Sequence, residues 1–456
     1  MGLSLTPEST PPVETLPLRR VAAAWWPLAV SWILMSAEPA ALAAVVARLE
    51  NPAVNLAAYG SVAFPLIGIL QAPVLTLLSL STAMSKDWDS FVKGRRLMYL
   101  VGGSLTLLYL LVICTPLYDA IVKGLIGAPP EVLEPARAAM VIGLPWTFAV
   151  AYRRFHQGVM IRFEHTRVVT VGTLLRFAAD AVVLIAAVKW RILPGASVAA
   201  LMMVVGVVTE AVYVGLRVRP ILSGELRQAP PLQKPISLWE MALFFIPLGL
   251  TPLLNQLIRP IGSAALSRLP DPLQTLAVWP VISSLSFLIV TPGAAFNEVV
   301  IAMLDRPRAR ASLRRFMFIL MAAQFTLFAA VALTPLSHLW FARVSGLNAP
   351  LANLAARAFI LLLPASLLSP LNSWFSGTIL HARQSRAITA AMGIYLGVYT
   401  GSLWLGGALI PPGVSGIYVA VGGSMLASMA QNTYLYFRSR PIMAALQAEE
   451  TTDEHR

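Results

Sequence analysis

The sequence predicts an all-α polytopic membrane protein, with twelve transmembrane helices in two parallel six-helix lobes around a central cleft. Three observations carry this. Hydrophobic residues make up 57% of the chain and charged ones 12%, against about 45–50% and about 25% for a soluble domain. Twelve apolar stretches are long enough to cross about 30 Å of hydrocarbon. The chain also matches itself when displaced by roughly 220 residues, the mark of an internal repeat.

Residues 1–20 are polar and proline-rich and lack the apolar core and small-residue cleavage site of a signal peptide, so they read as a cytoplasmic tail. The N-lobe follows over 21–216, with spans near 21–47, 55–82, 97–118, 135–155, 166–188 and 195–216. Residues 217–237, LRVRPILSGELRQAPPLQKPI, form a polar inter-lobe linker. The C-lobe occupies 238–437, with spans near 238–267, 275–303, 316–337, 354–380, 386–409 and 413–437, and 438–456 is a second tail.

A net charge of +13 in such a chain concerns loop orientation and not nucleic acid. With the N-terminus in the cytoplasm, the clusters KDWDSFVKGRR (86–96), RRFHQGVMIRFEHTR (153–167) and DRPRARASLRR (305–315) all fall inside. Both termini are then cytoplasmic. Arginine-rich short loops without an N-x-S/T site suit a bacterial inner membrane. Trp25, Trp26, Trp190, Trp239 and Trp340 read as interface anchors, while Trp32 and Trp146 lie deeper. There is no Walker-type loop, no metal-ligand spacing around His156 or His165, and no nucleophile–base set, so an enzyme is not expected. Cys114 lies in an apolar run and implies no disulfide.

The repeat is detailed. Pro27, Arg48 and Pro52 meet Pro247, Arg268 and Pro272; Thr115-Pro116-Leu117 meets Thr334-Pro335-Leu336; Ala136-Arg137-Ala138 meets Ala356-Arg357-Ala358; Gly158 and Arg167 meet Gly377 and Arg386. Six spans per half start both halves on the same side, so the repeats are parallel about an axis along the membrane normal, and rocking of two lobes is the expected motion.

Within the repeat one pair of stretches diverges in charge. Residues 25–48, WWPLAVSWILMSAEPAALAAVVAR, carry Glu38, whereas residues 245–268, FIPLGLTPLLNQLIRPIGSAALSR, carry Arg259 at similar depth. Ionisable groups inside a membrane mark pathways or pairs, so a transport site is expected between these two helices. Glu38 precedes Pro39, where an opened backbone assists a proton or cation; its alternative is a structural carboxylate. Arg259 suits a phosphate or carboxylate, or alternatively locks the lobes by pairing with Glu38. Asn255 and Gln256 beside it serve a ligand or interhelical hydrogen bonds. Arg176 and Asp180, four apart, are expected to form an intrahelical pair. Glu210 and Glu298 are candidates for gating or proton relay. Arg153 and Arg154 read as topology anchors that also draw anions to the cleft mouth.

Span two, LAAYGSVAFPLIGILQAP, and the end of span four, AYRRFHQGVMIRF, resemble the multidrug/oligosaccharidyl-lipid/polysaccharide (MOP) flippase superfamily, which includes the multidrug and toxin extrusion (MATE) transporters. Within it, NQLIRPIGSAALSR (255–268) and SAEPAALAAVVAR (36–48) are most similar to the progressive ankylosis protein branch; the resemblance covers about residues 20–440. It implies a V-shaped cleft, alternating access and coupling to protons or sodium. The extrusion members' acids in spans one and five fall on Glu38 and Asp180, with Arg176 as a departure. The branch implies export of small polyanions such as pyrophosphate, citrate or nucleotides. The expectation is therefore a monomeric secondary active exporter of a small organic or phosphate-bearing anion, without a cofactor. Arg259, Asn255, Gln256 and Arg176 would face the substrate. A cation-coupled multidrug extruder and a flippase for a lipid-linked precursor are the alternatives.

Overall fold

The computed structural model describes residues 16–454 apart from 234, 305, 307, 308, 383 and 412. The tail expected over 1–20 therefore lies mostly outside the described residues. The N-lobe holds α1 (Leu18–Val46), α2 (Pro52–Met84), α3 (Trp88–Cys114), α4 (Pro130–Arg162), α5 (Thr166–Trp190) and α6 (Gly195–Ser223). The C-lobe holds α7 (Leu238–Leu266), α8 (Pro272–Met303), α9 (Ala309–Ala332), α10 (Ala349–Ile360 with Ala365–His381), α11 (Ser385–Leu409) and α12 (Gly416–Glu454). Among the described residues eight of these helices are apolar and long enough to cross a membrane, and α10, bent by 50° just before Ala365, makes a ninth. The bend falls at Pro364, which cannot donate to the preceding turn. Helices α4, α7 and α12 run for 33, 29 and 39 residues.

Local chemistry starts these helices. Pro52, Pro130 and Pro272 sit at first-turn positions, where the missing N–H costs nothing. Asp87 and Ser237 close capping boxes on α3 and α7. The duplication extends to backbone conformation. Asn51 (φ 48°) and Asp271 (φ 54°) are both left-handed before their prolines, and Gly127 (φ 74°) and Gly346 (φ 71°) both end short π-helical turns, Ala120–Ile126 and Trp340–Val344. Two lobes folding identically at strained positions share one local code.

Gly60 of α2 packs against Pro280 of α8, with no room for a Cβ at 60. Each is the repeat equivalent of the other. A residue touching its own equivalent lies beside the pseudo-twofold axis, so α2 and α8 line the centre. Ser61 Oγ reinforces the contact by donating to the Leu276 carbonyl at 2.6 Å.

The first helix of each lobe leans across the boundary. Helix α1 packs chiefly on α8, and α7 packs on α2. Trp25 Nε1 donates to the Pro292 carbonyl (2.8 Å) and the Trp25 ring meets Phe316 edge-on at 5.5 Å, fixing the start of α1 to the C-lobe. Three spans outrun their hydropathy limits: α4 reaches Arg162, α6 reaches Ser223 and α12 continues to Glu454. Arg153 and Arg154, near the expected end of span four, consequently lie two turns inside α4, and Glu210 lies well inside α6. Charges paired internally do not end a helix, although they end a hydropathy window.

Candidate functional site

Gly172, Arg176 and Asp180 recur every four residues on one face of α5, and Gly206, Glu210 and Tyr213 form the facing stripe of α6. Glycines at 172 and 206 let the helices approach closely; a Cβ on Gly206 would collide with Asp180 Oδ1. A buried charge network occupies this seam. Arg176 Nη2 donates to Glu38 Oε2 of α1 at 2.8 Å, and its Nε lies 3.9 Å from Glu210 Oε2. Glu210, fully buried, also accepts from Arg153 Nη1 and, at 2.9 Å, from Gln157 Nε2 of α4. Arg153 and Gln157 lie one turn apart on α4 and so reach the same carboxylate.

The intrahelical Arg176–Asp180 pair expected from the sequence does not form: Arg176 is taken by Glu38. Both Asp180 carboxylate oxygens are buried and without a hydrogen-bond partner. The hydrogen-bonded set of Glu38, Glu210, Arg153 and Arg176 balances in charge, and Asp180 adds one uncompensated carboxylate. In low dielectric such a group needs a counter-charge, a proton or a cation. Arg153 is therefore no simple topology anchor. Arg154 follows it on α4, with its Nε also buried and unpartnered.

Arg259 and Glu38 are not brought together, and the site expected between α1 and α7 is not built that way. Because α7 leans on α2, the Arg259 guanidinium sits 5.2 Å from the centroid of the Phe64 ring. Phe64 in turn contacts Tyr59 (5.8 Å) and Trp146 (6.3 Å), giving an aromatic wall beside one cation. Among the described residues no carboxylate pairs with Arg259. The Gln256 side chain packs against Gly68 of α2; the Asn255 side chain lies outside the described residues. Glu298 of α8 is exposed and accepts from Trp32 Nε1 of α1 at 3.4 Å. Thus α1 is held to the C-lobe through Trp25 and Trp32, and to its own lobe through Glu38.

Two further contacts lie at the distal face, opposite the chain ends. Arg48, at the end of α1, donates to the Arg343 carbonyl of the C-lobe. Arg268, at the end of α7, donates to the N-lobe carbonyls of Leu125 (2.9 Å) and Ile126 (3.4 Å), and Ser267 Oγ also donates to Ile126. The acceptors are the π-helical turns that end at Gly127 and Gly346. This symmetric pair of latches was visible in the sequence only as two repeated arginines, and Gln157 only as the residue one turn after Arg153.

Neither protein-family models nor curated proteins match this sequence. Solved structures do. The chain superposes on an inward-facing multidrug resistance MATE family transporter of the MOP superfamily with TM-score 0.70, 14% identity, and coverage of 91% of this chain and 98% of that one. An outward-facing MATE family transporter gives TM-score 0.59 at 16% identity, covering 94% and 99%. A MOP superfamily transporter from Pyrococcus furiosus, described as having a binding pocket of reverse polarity, gives 0.60 at 15% identity, covering 93% and 96%. The fold is that of the MATE transporters. It does not single out the progressive ankylosis branch that residues 36–48 and 255–268 resemble.

Proposed function

We propose that this protein is a proton-coupled secondary transporter that exports amphipathic organic compounds by rocking its two lobes. One observation carries the reading: the Arg176 guanidinium bridges Glu38 on α1 and, more distantly, Glu210 on α6, beside an unpartnered buried Asp180. A proton on Glu38 abolishes its charge and releases Arg176 toward Glu210. Helix α1, bound to the C-lobe by Trp25 and Trp32, then parts from the N-lobe. Losing a charge-assisted hydrogen bond of about 1.5–3 kcal/mol shifts a two-state equilibrium by roughly ten- to a hundredfold, enough to bias alternating access. A proton suits this seam better than sodium, because Arg153 and Arg176 repel a metal cation and offer it no lone pair.

For the substrate, half-buried Phe64 beside Arg259, backed by the buried rings of Tyr59 and Trp146, offers an aromatic face that favours flat apolar compounds as in multidrug extrusion. The small phosphate-bearing anion has less support, since Arg176 and Arg153 are engaged by Glu38 and Glu210. A second reading, that the compound is an amphipathic anion, is favoured by Arg259 over Phe64. In either case the protein works in the plasma membrane with both termini cytoplasmic. The test is efflux of ethidium from proteoliposomes driven by a pH gradient. Asp180→Asn and Glu38→Gln should each abolish gradient-driven efflux while the protein stays folded; wild-type efflux by both variants overturns the reading.

A further inference from the structure

A cavity of about 760 Å³ lies between α2, the distal end of α3, α7 and α11. Its walls include Ile69, Leu125, Leu257, Ile261, Trp404 and Arg268. None of the buried charge network lines it. Leu125 and Trp404 on its wall are 67% and 77% exposed, so in a bilayer its mouth faces lipid. Along α7 it runs from Leu257 to Arg268, which is roughly 16 Å at about 1.5 Å per residue. That is about half of a 30 Å hydrocarbon core, the depth of one leaflet. Among the described residues the only charged side chain on its wall is Arg268, at the interfacial end.

We propose that this cavity binds one acyl chain of an anionic phospholipid from the distal leaflet, with the phosphate on Arg268. An apolar lining alone cannot select a ligand here, because lipid tails are as apolar as leucine and no hydrophobic gain separates them. Selectivity must come from the headgroup. Arg268 donates only to carbonyls, and no carboxylate pairs with it among the described residues, so its charge stays available to a phosphate. Lys123 is exposed on the turn that Arg268 grips and adds positive charge at the same depth.

The site also has a conformational consequence. Leu125 and Ile126 belong to the N-lobe, whereas Ile261, Arg268 and Trp404 belong to the C-lobe. Parting of the lobes at the distal face would dismantle the cavity. A lipid that binds only the closed arrangement stabilises it, and so acts as a wedge that strengthens the Arg268 latch. This consequence rests on the rocking motion proposed above.

The experiment uses purified protein in nanodiscs of phosphatidylglycerol or phosphatidylcholine, with lipid retention read by native mass spectrometry. Wild type should retain one phosphatidylglycerol in preference to phosphatidylcholine. Ile261→Trp, which fills the cavity, should lose it. Ala408→Trp, at an exposed lining position that tolerates bulk, should do the same and guards against misfolding of the first variant. Spin labels at Gly124→Cys and Gln274→Cys on a Cys114→Ser background should report a longer inter-lobe distance in phosphatidylcholine than in phosphatidylglycerol. Equal retention by wild type and both filled variants, no preference between the lipids, or an unchanged distance overturns the proposal. These readouts need neither substrate nor a pH gradient, so failure of proton coupling leaves them untouched.

Discussion

Arg48 and Arg268 hold equivalent positions at the ends of α1 and α7, and each donates its guanidinium to backbone carbonyls of the opposite lobe. A hydrogen bond from a charged group contributes about 1.5–3 kcal/mol. Arg48→Gln or Arg268→Gln should therefore move the equilibrium roughly ten- to a hundredfold toward an open distal face. The two latches lie in separate contacts, so their effects should add in the double variant. Inter-lobe spin-label distances at the distal face check this; identical distance distributions in wild type and the double variant would remove the latch from the mechanism.

Glu210 and Arg153 make the opposite case, a pair whose members cannot be separated. Glu210 is fully buried and Arg153 nearly so. Glu210→Gln leaves the Arg153 charge without its partner, and breaking a buried pair costs about 3–5 kcal/mol. The double variant Arg153→Met with Glu210→Leu should recover most of that loss, since apolar replacement of a buried pair is often neutral or better. Thermal unfolding in detergent measures both. Equal stability of Glu210→Gln and wild type would refute the assigned pairing.

Gly206→Ala moves the Asp180 carboxylate without changing any charge, because the added methyl meets Asp180 Oδ1. The carboxylate is the end of a side chain and can swing aside, so the fold should survive with a loss of about 1–3 kcal/mol, as for other overpacked sites. Proton-driven efflux should fall by an order of magnitude or more. If efflux is intact and only stability drops, the position of Asp180 does not matter for coupling.

Arg259 distinguishes the two substrate readings. Its guanidinium lies over Phe64 without a carboxylate partner among the described residues. Arg259→Ala should abolish transport of an anionic dye and leave ethidium efflux within about twofold, because a surface-like cation–π contact is worth only about 0.5–1 kcal/mol. Intact anion uptake in proteoliposomes removes Arg259 from substrate recognition.

The sequence made the architecture legible because the repeat preserves what backbone geometry requires: Pro52 and Pro272 after left-handed residues, Gly127 and Gly346 after π-turns. The partners of the buried charges were not legible. The four-residue spacing of Arg176 and Asp180 predicts a local pair, but Glu38 on a neighbouring helix reaches Arg176 first. Which helix becomes the neighbour depends on how α1 leans, and no periodicity encodes that. Arg153 was misplaced for a related reason. Hydropathy counts a guanidinium as a membrane boundary, whereas Glu210 and its hydrogen bonds make it an interior residue.

Asp87 joins the N-lobe to the inter-lobe linker and should make the proximal face sensitive to acid. Its carboxylate accepts from the Ser90 N–H at 2.9 Å as the cap of α3, and from the Leu232 N–H of the linker at 3.1 Å. Burial alone would raise this carboxyl, but the hydrogen bonds from Ser90 and Leu232 outweigh it and hold it below its ordinary 3.8. A depressed folded value means that the stabilisation is fully present above about pH 4, the unfolded value, and is lost as pH falls through the folded one. Asp87→Ala should cost about 0.5–2 kcal/mol for the cap at neutral pH and loosen the linker. Asp87→Asn should keep the cap and lose the acid dependence. Hydrogen exchange at the Leu232 amide, followed from pH 7 to pH 3, reads the effect: protection should fall with pH in wild type and stay flat in Asp87→Asn. A flat wild-type profile would show that the linker is held by other contacts, such as Arg227 over the Trp88 ring at 5.4 Å.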